Sequence, residues 1–161
     1  MNLSKEEKIS QLRDIISSSN NIVFFGGAGV STESNIPDFR SANGLYSERT
    51  GKRGFSPEEM LSHTFFMNYT EDFYDYYKSK LIYKEAKPND AHLTLAKLEE
   101  MGKLKAVITQ NIDGLHQKAG SKEVLELHGS AYRNYCLQCN KFFTLDYVLE
   151  SEGVPKCDSC G

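Results

Sequence analysis

Two features of this 161-residue sequence predict an α/β fold, with a Rossmann-like parallel sheet and a small four-cysteine zinc-ribbon subdomain. Short apolar segments alternate with segments of helical periodicity through most of the chain, which is typical of βα units. Two Cys-x-x-Cys pairs then follow, with 17 residues between them. The first pattern predicts the sheet, and the second predicts the subdomain.

The first predicted element is a helix that begins after Ser4. Ser4 and Glu7 have the spacing of a capping box, in which each side chain binds a backbone N–H of the first turn. Apolar residues then recur at helical spacing, and the polar run 17–20 predicts the end of the helix. These apolar residues are Ile9, Leu12 and Ile16.

Three short, mainly apolar segments, at 22–25, 106–108 and 124–127, predict the strands of the sheet. Segments of this kind are typical of strands that are buried on both faces of a parallel sheet. Between the first two strands, the composition predicts a loop at 41–55 and helical structure through the aromatic-rich stretch 65–83.

Two further helices have N-terminal signals. Ser56 is a predicted N-cap, with proline at the first helical position and Glu59 at the third. Asn89 or Asp90 caps a later helix, on which we expect His92 to be a packing or capping residue. The predicted apolar face of this later helix consists of Ala91, Leu95 and Leu98.

The charge and hydropathy of the chain exclude several classes of protein. The formal net charge is −3, from 19 basic and 22 acidic residues, and no basic stripe is available for nucleic acid phosphates. The longest apolar run, at 22–25, is far shorter than the ~20 residues of a membrane span. The N-terminal segment shows no apolar signal region, so we expect a cytoplasmic protein without nucleic acid or membrane partners.

The strongest local signal is the set of four cysteines, Cys136, Cys139, Cys157 and Cys160. Each pair places two thiolates at one tight turn, and the two pairs complete a tetrahedral sulfur site for one zinc ion. Four thiolates leave no coordination position for a substrate, so this zinc is predicted to be structural. Unligated buried cysteines are one alternative. Redox chemistry at one pair is another, although it leaves the second pair unexplained.

A glycine-rich loop follows the first predicted strand directly. Gly27 and Gly29 would let backbone N–H groups approach a pyrophosphate. Taken alone, the motif is equally compatible with a tight structural turn. It has no third glycine, and the nearest acidic residue at dinucleotide-fold spacing, Glu48, lies in an irregular stretch.

Polar residues follow the predicted strands at three places. After the glycine loop, the segment 36–40 supplies a proline, an aromatic ring and an arginine. The segment 109–116 follows the second strand, and His128 and Gly129 follow the third. Because the carboxyl ends of parallel strands meet at one edge of a sheet, these residues predict a single ligand-binding crevice.

Together these motifs resemble those of the sirtuins, NAD-dependent protein lysine deacylases, of the bacterial type. The resemblance rests on GAGVSTESNIPDFRS at 27–41, TQNIDGLH at 109–116, LHG at 127–129 and the paired Cys-x-x-Cys motifs. Asn35 departs from the glycine of many members, but asparagine also tolerates left-handed backbone geometry.

The resemblance implies that NAD lies across the carboxyl edge of the sheet. Ala28 and its flanking glycines would contact phosphate, Phe39 would cover the nicotinamide ribose, and Asp113 would hold the nicotinamide carboxamide. The implied cofactor-binding residues are Gly27, Ala28, Gly29, Thr32, Ile36, Asp38, Phe39, Arg40, Gln110, Asn111, Ile112, Asp113 and His128. The implied cofactors are therefore NAD and one structural zinc ion per chain.

The implied reaction transfers the acyl group of an acyl-lysine protein or peptide to ADP-ribose and releases nicotinamide and O-acyl-ADP-ribose. The implied catalytic residues are His128, as general base on a ribose hydroxyl, and Asn111, beside the ribose and an ordered water. His116 is expected to brace the loop. Family members that remove succinyl groups carry Tyr-x-x-Arg where this chain has Tyr74 and Tyr77, so uncharged acyl groups such as acetyl are expected.

The resemblance also implies a domain organisation. We expect an NAD-binding domain at 1–130, with a helical insertion at about 41–88, and a zinc-binding subdomain at 131–161 that is truncated at its C-terminal side. The adenosine half of the pocket would lie in the missing part. The 161-residue chain is therefore expected to bind NAD poorly and to expose apolar sheet surface. The alternative is a non-catalytic module that binds zinc and ADP-ribose or a partner.

Overall fold

The structure is a computed structural model that describes residues 3–42, 44–47 and 54–161. The helices of this part are α1 (Lys5–Ser18), α2 (Pro57–Met60), α3 (His63–Asn68), α4 (Thr70–Tyr76), α5 (Asp90–Glu100), α6 (Leu115–Ala119) and α7 (Leu145–Glu150). Its strands are β1 (Ile22–Gly26), β2 (Leu104–Thr109), β3 (Val124–Glu126), β4 (Asn134–Tyr135) and β5 (Phe142–Phe143). Two 3-10 helices span Ala28–Ser34 and Leu45–Ser47, and Tyr77–Leu81 form a π-helical turn.

The main sheet is parallel and has the strand order β1-β2-β3. Phe25 pairs with Ile108, which in turn pairs with Leu125, so these three side chains form one row on the same face. All three predicted strands of the sheet are present. The third ends at Glu126, one residue earlier than predicted, because the chain turns immediately afterwards.

Helix α5 packs against one face of this sheet, and a hydrophobic core lies between the helix and the sheet. Leu95 of α5 clusters with Leu104 and Val107 of β2, and Val107 is completely buried. The predicted face of α5 is wrong for Ala91, which is exposed. Its neighbour His92 points inward instead, because residues 92 and 95 share the face that meets β2. The surrounding apolar residues are Ile22, Phe24, Leu98 and Val124.

The predicted helix N-caps are present. Ser4 Oγ accepts a hydrogen bond from the Glu7 N–H at 3.2 Å, and Glu7 Oε2 accepts one from the Ser4 N–H at 2.7 Å. Ser56 and Glu59 form the same reciprocal pair at the start of α2. Of the two candidates for the N-cap of α5, Asn89 takes that position.

The aromatic-rich stretch 65–83 is helical only as far as Leu81, and it is not one continuous helix. Tyr69, at φ −134° and ψ 50°, separates α3 from α4. The change of direction allows Phe65 of α3 to cluster with Tyr76 of α4 and Met60 of α2. In the predicted loop at 41–55, residues 45–47 form a 3-10 helix, and positions 43 and 48–53 lie outside the described residues.

The face of the sheet opposite α5 carries exposed apolar side chains. Val23, Phe25 and Leu125 are 56%, 61% and 53% exposed. Helix α1 has no buried residue, and Leu12 on it is 56% exposed. The expected apolar sheet surface is therefore present, and the prediction that the strands are buried on both faces is wrong for this face. Among the described residues, no helix is both long enough and apolar enough to cross a membrane.

The cysteine-bearing segment forms a separate small hairpin. Strands β4 and β5 pair in antiparallel fashion, and α7 follows them. Lys78, from the helical stretch before α5, donates hydrogen bonds to the carbonyls of Ser151 at 2.6 Å and Gly153 at 2.9 Å and so ties the two regions together. The boundary that we expect between 130 and 131 stays a prediction.

Candidate cofactor site and metal centre

A cavity of about 380 Å³ lies at the carboxyl ends of the three parallel strands. Each strand is followed by a lining residue: Ala28 after β1, Gln110 after β2 and His128 after β3. The other lining residues are Ser31, Ile36, Pro37, Phe39, Leu45, Leu61, Phe73, Tyr77, Leu81, Tyr83, Asn111, Ile112 and Asp113. The structure thus brings the three polar segments of the sequence to one place.

Most residues that the resemblance implies for NAD lie in this cavity. They are Ala28, Ile36, Phe39, Gln110, Asn111, Ile112, Asp113 and His128. Gly27, Gly29, Thr32, Asp38 and Arg40 are not among its lining residues. Gly27, Gly29 and Thr32 belong to the loop that bears Ala28. The Ser41 side chain and the Ser41 N–H, the latter at 3.0 Å, donate hydrogen bonds to the Asp38 carboxylate and lower its pKa. Arg40 is exposed.

Ser31 is a functional candidate that the sequence reasoning did not single out. It lies two residues after Gly29, inside the glycine-loop motif, and it is 1% exposed. Its hydroxyl donates to Asp113 Oδ2 at 2.7 Å and accepts from Asn111 Nδ2 at 3.0 Å. The position beside the glycines was the available signal, but its partners lie in the loop after β2 and are 80 and 82 residues away.

Asp113 and Asn111 are also fixed by their own loop. Asp113 Oδ1 accepts a hydrogen bond from the Leu115 N–H at 2.9 Å. The Asn111 N–H donates to Thr109 Oγ1 at 3.0 Å. Together with Ser31, these contacts form a connected polar cluster, so the carboxylate and the amide reach the cavity in fixed orientations.

Phe39 is held by a compact turn beside the cavity. Its carbonyl accepts from the Tyr46 N–H at 2.8 Å, and the rings of Phe39 and Tyr46 lie 5.3 Å apart between centroids. Gly44 is packed so closely that a Cβ there would lie 2.8 Å from backbone atoms of Asp38 and Phe39. Glycine at this position therefore allows the turn to close and present the aromatic ring.

Two histidines lie buried behind the Asp113 loop. His92 of α5 and His116 of α6 are 0% and 1% exposed, and their ring centroids are 4.7 Å apart. Burial, together with the adjacent His92 ring, lowers the pKa of His116 to about 4. Both ring nitrogens of His116 are without a hydrogen-bond partner among the described residues. The expectation that His92 is a packing or capping residue is confirmed.

The four cysteines form a separate cluster. Their sulfur atoms all lie within 4.8 Å of one another. Cys136 Sγ is 3.5 Å from Cys160 Sγ, and Cys139 Sγ is 3.6 Å from Cys157 Sγ. Tetrahedral coordination with Zn–S bonds of about 2.3 Å requires sulfur atoms about 3.8 Å apart, so the cluster is spaced to hold a zinc ion.

The backbone around the cluster favours thiolates. The N–H groups of Gln138 and Cys139 point at Cys136 Sγ from 3.4 and 3.5 Å, and the Ser159 N–H points at Cys157 Sγ from 3.4 Å. The Cys139 and Gln138 N–H groups lower the pKa of Cys136 to about 6, whereas the neighbouring cysteine side chains raise the pKa of Cys160 to about 12. A deprotonated sulfur is the form that binds a metal ion, so the donor set fits zinc.

A cavity at the carboxyl edge of a parallel α/β sheet, together with four cysteines spaced for a metal ion, defines this chain as a Rossmann-like α/β protein with a metal-binding module. The Sir2 family model matches residues 27–161. The chain therefore belongs to the Sir2 family.

Relatives of this chain share a common name. A protein of Clostridium perfringens called "NAD-dependent protein deacetylase" is 65% identical over 156 residues, which are 97% of this chain and 64% of the relative. A protein of Clostridium tetani with the same name is 68% identical over 151 residues, 93% of this chain and 61% of the relative. The chain thus spans less than two thirds of the length of these relatives.

Solved Sir2 structures have the same fold. A Sir2 variant in complex with a deacetylated p53 peptide and 3′-O-acetyl ADP-ribose matches with a TM-score of 0.82 and 44% identity, covering 94% of this chain and 61% of that one. A complex of Sir2 with a p53 peptide and NAD+ matches with a TM-score of 0.75 and 45% identity, covering 94% of this chain and 60% of that one. The predicted fold class is confirmed.

Proposed function

We propose that this chain carries the nicotinamide-binding and catalytic portion of an NAD-dependent protein lysine deacylase. The single observation that carries the proposal is that His128, Asn111 and Asp113 line one cavity at the carboxyl edge of the sheet. The reaction consumes an acyl-lysine, NAD and water, and it yields lysine, nicotinamide and O-acyl-ADP-ribose. The names of the relatives support this reading over a non-catalytic binding module.

Asp113 is proposed to orient the nicotinamide carboxamide. Its two oxygens already accept one hydrogen bond each, from Ser31 and from the Leu115 N–H. Each carboxylate oxygen has a second lone pair, so the group can accept a further bond from an amide N–H. The first two bonds fix the direction of the carboxylate, which lets it select one orientation of the nicotinamide ring.

His128 is proposed as the general base that accepts a proton from a ribose hydroxyl. It stands in the turn after β3, on the cavity wall, where its imidazole is exposed. Imidazole suits this step because its usual pKa lies close to neutral pH. Asn111, on the neighbouring loop, is proposed to bind the ribose and an ordered water.

The remaining implied residues are proposed to bind NAD as the family resemblance assigns them. Phe39 would cover the nicotinamide ribose and shield it from bulk water, and Gln110 would contact the ribose. Ile112 and Ile36 add apolar surface to the cavity. The phosphate contacts are proposed for the loop and turn residues Gly27, Ala28, Gly29, Thr32 and Arg40. Asp38 is proposed as a further cofactor-binding residue without a phosphate contact.

The cavity wall favours an uncharged acyl group. Tyr77 lines the cavity, and its burial, reinforced by Tyr74, raises its pKa to about 12, so the hydroxyl stays neutral at physiological pH. The rest of this wall, formed by Leu61, Phe73 and Leu81, is apolar. With no lysine or arginine among the described lining residues, an acidic acyl group would find no counter-charge.

The zinc ion is proposed to be structural. Its four thiolate ligands would fill a tetrahedral site, so they leave no position for substrate or water.

We also propose a cytoplasmic location, with an acyl-lysine protein or peptide as the substrate and no nucleic acid or membrane partner. The spacing of the cysteines for a metal, and not for disulfides, supports a reducing compartment.

The test of the proposed function uses two proteins. One is the 161-residue chain, and the other is a chimera in which it replaces the matching part of the Clostridium perfringens relative. Each is incubated with an acetyl-lysine peptide and NAD, and mass spectrometry follows the peptide, nicotinamide and O-acetyl-ADP-ribose. We expect all three products in equal amounts from the chimera. A folded, zinc-loaded chimera that binds ADP-ribose but releases no nicotinamide would instead establish the binding module.

A further inference from the structure

Asn89 joins helix α5 to the glycine-loop segment, residues 28–34. Its main partner there is Val30, which lies 59 residues earlier in the sequence. Its Oδ1 accepts hydrogen bonds from the N–H groups of Ala91 at 2.9 Å and His92 at 3.4 Å, which makes it the N-cap of α5. On the other side, its Nδ2 donates to the Val30 carbonyl at 2.8 Å and to Ser34 Oγ at 3.1 Å.

The choice of asparagine at this position is not explained by capping alone. Aspartate and serine cap helices about as well as asparagine does. Only the amide adds N–H donors, and the structure uses both the oxygen and the nitrogen of Asn89. The oxygen faces two backbone N–H groups, so the network also fixes which end of the amide points at the loop.

The loop needs support of this kind. Ala28–Ser34 form a seven-residue 3-10 helix, and 3-10 helices longer than three or four residues are uncommon because their hydrogen-bond geometry is poor. It ends at Asn35, which has left-handed backbone geometry with φ 61°. Between the two contacts of Asn89 lies Ser31, whose hydroxyl binds Asp113 and Asn111. A shift of the loop would therefore displace the polar cluster of the cavity.

We propose that Asn89 is a positioning residue: its side chain caps α5 and holds the loop 28–34 in the conformation in which Ala28 and Ser31 line the cavity. It acts on NAD only through the loop. The structural part of this inference stands on the contacts of Asn89, and its relevance for NAD rests on the proposed function.

The first experiment measures backbone hydrogen exchange in the 161-residue chain. Asn89→Asp keeps the capping oxygen but removes both N–H donors and places an oxygen beside the Val30 carbonyl. We expect exchange of the Asn35 and Ile36 N–H groups, which bind carbonyls within the loop, to become about tenfold faster, as for the loss of a hydrogen bond to a partly buried group. Exchange in the middle of α5 should change less than about twofold, because the cap is kept.

The matched control is Thr144→Ala, which removes the N-cap of α7 without a contact to the loop. Loop exchange should stay as in the unmodified chain. If Asn89→Asp does not fold, Ser34→Ala removes one acceptor of the Asn89 amide and should also accelerate loop exchange. Loop exchange that is unchanged, or that rises only in step with exchange throughout the chain, would overturn the proposal.

The second experiment measures deacylation by the chimera. Asn89→Asp should raise the KM for NAD about tenfold, the factor expected for one lost hydrogen bond, while kcat changes less. A general loss of folded protein would lower kcat and leave KM unchanged, and this result would contradict a role in positioning. If the chimera shows no deacylation but loop exchange responds as expected, the proposed function fails and the positioning of the loop stands.

Discussion

The Ser31 hydroxyl donates a hydrogen bond to Asp113 Oδ2 at 2.7 Å, which joins the loop after β1 to the loop after β2. The same hydroxyl accepts a hydrogen bond from Asn111, and Leu115 fixes the other oxygen of Asp113. The polar wall of the cavity is therefore one connected unit, in which Ser31 is the shared member.

Replacing Ser31 by alanine should disrupt this unit. We expect the free energy of unfolding to fall by about 1–3 kcal/mol, because Asp113 and Asn111 each lose a partner in a partly buried site. Urea denaturation of the 161-residue chain measures the change. Ser10→Ala, on the exposed surface of α1, is the control. Equal stability of the two variants would show that the cluster adds nothing to the fold.

The cysteine cluster should depend on all four sulfurs. Cys136→Ser or Cys157→Ser should release zinc and unfold the region around β4 and β5, because structural zinc contributes about 10–16 kcal/mol in zinc-finger peptides. Elemental analysis gives the zinc content, and circular dichroism follows the unfolding. Ser159→Ala leaves all four sulfurs in place and should retain the metal. Stoichiometric zinc in either cysteine variant would contradict the assigned site.

The buried His116 should make the chain less stable in mild acid. Its pKa is about 4 in the folded chain and about 6.5 when unfolded, so between these values the unfolded state binds more protons. The free energy of unfolding should therefore fall by up to about 3 kcal/mol as the pH drops from about 6.5 to 4. Above pH 6.5, His116 should contribute little to any change in this free energy. Urea denaturation at several pH values provides the measurement.

His116→Phe isolates this contribution. Phenylalanine keeps an aromatic ring beside His92 but cannot bind a proton. The neighbouring groups that also titrate, His92, Asp113 and Glu126, remain in both proteins. The difference in the free energy of unfolding between the two proteins should therefore change between pH 6.5 and 4. Above pH 6.5 it should stay constant. A difference that does not vary with pH would contradict the low pKa.

The acyl preference should depend on Tyr77. Tyr77→Arg places a cation on the cavity wall. Together with Tyr74, it creates the Tyr-x-x-Arg pattern of desuccinylases. In the chimera, we expect the ratio of desuccinylation to deacetylation to rise by at least about tenfold, the factor for one charged hydrogen bond. Tyr77→Phe is the matched control and should leave the ratio low. An unchanged ratio in Tyr77→Arg would show that this wall does not contact the acyl group.

Much of the fold could be predicted from the sequence because its signals are local. The strands at 22–25 and 106–108 are short apolar runs, and the Ser4–Glu7 capping box has a fixed spacing. The metal cluster was predictable because two residues between paired cysteines bring both sulfurs to one turn. The predicted meeting of the polar segments at one edge of the sheet is likewise present in the structure.

The features that were missed depend on contacts between distant elements. The role of Ser31 depends on residues of the loop after β2, and the amide of Asn89 has partners in the glycine-loop segment. The break at Tyr69 follows from the packing of Phe65 against Tyr76, which helical periodicity does not reveal. No periodic pattern in one segment contains this information.

The most direct test of the central claim is His128→Ala in the chimera, with two readouts. Deacetylation of a peptide should fall by about 10²–10⁴-fold, the usual contribution of a general base. Peptide-dependent exchange of labelled nicotinamide into NAD should persist, because His128 is proposed to act after nicotinamide leaves. The control is His63→Ala, which should leave both readouts intact because His63 is exposed. His92→Gln would not serve as a control, because His92 is buried in the core. Undiminished O-acetyl-ADP-ribose formation by a folded His128→Ala protein would contradict the account.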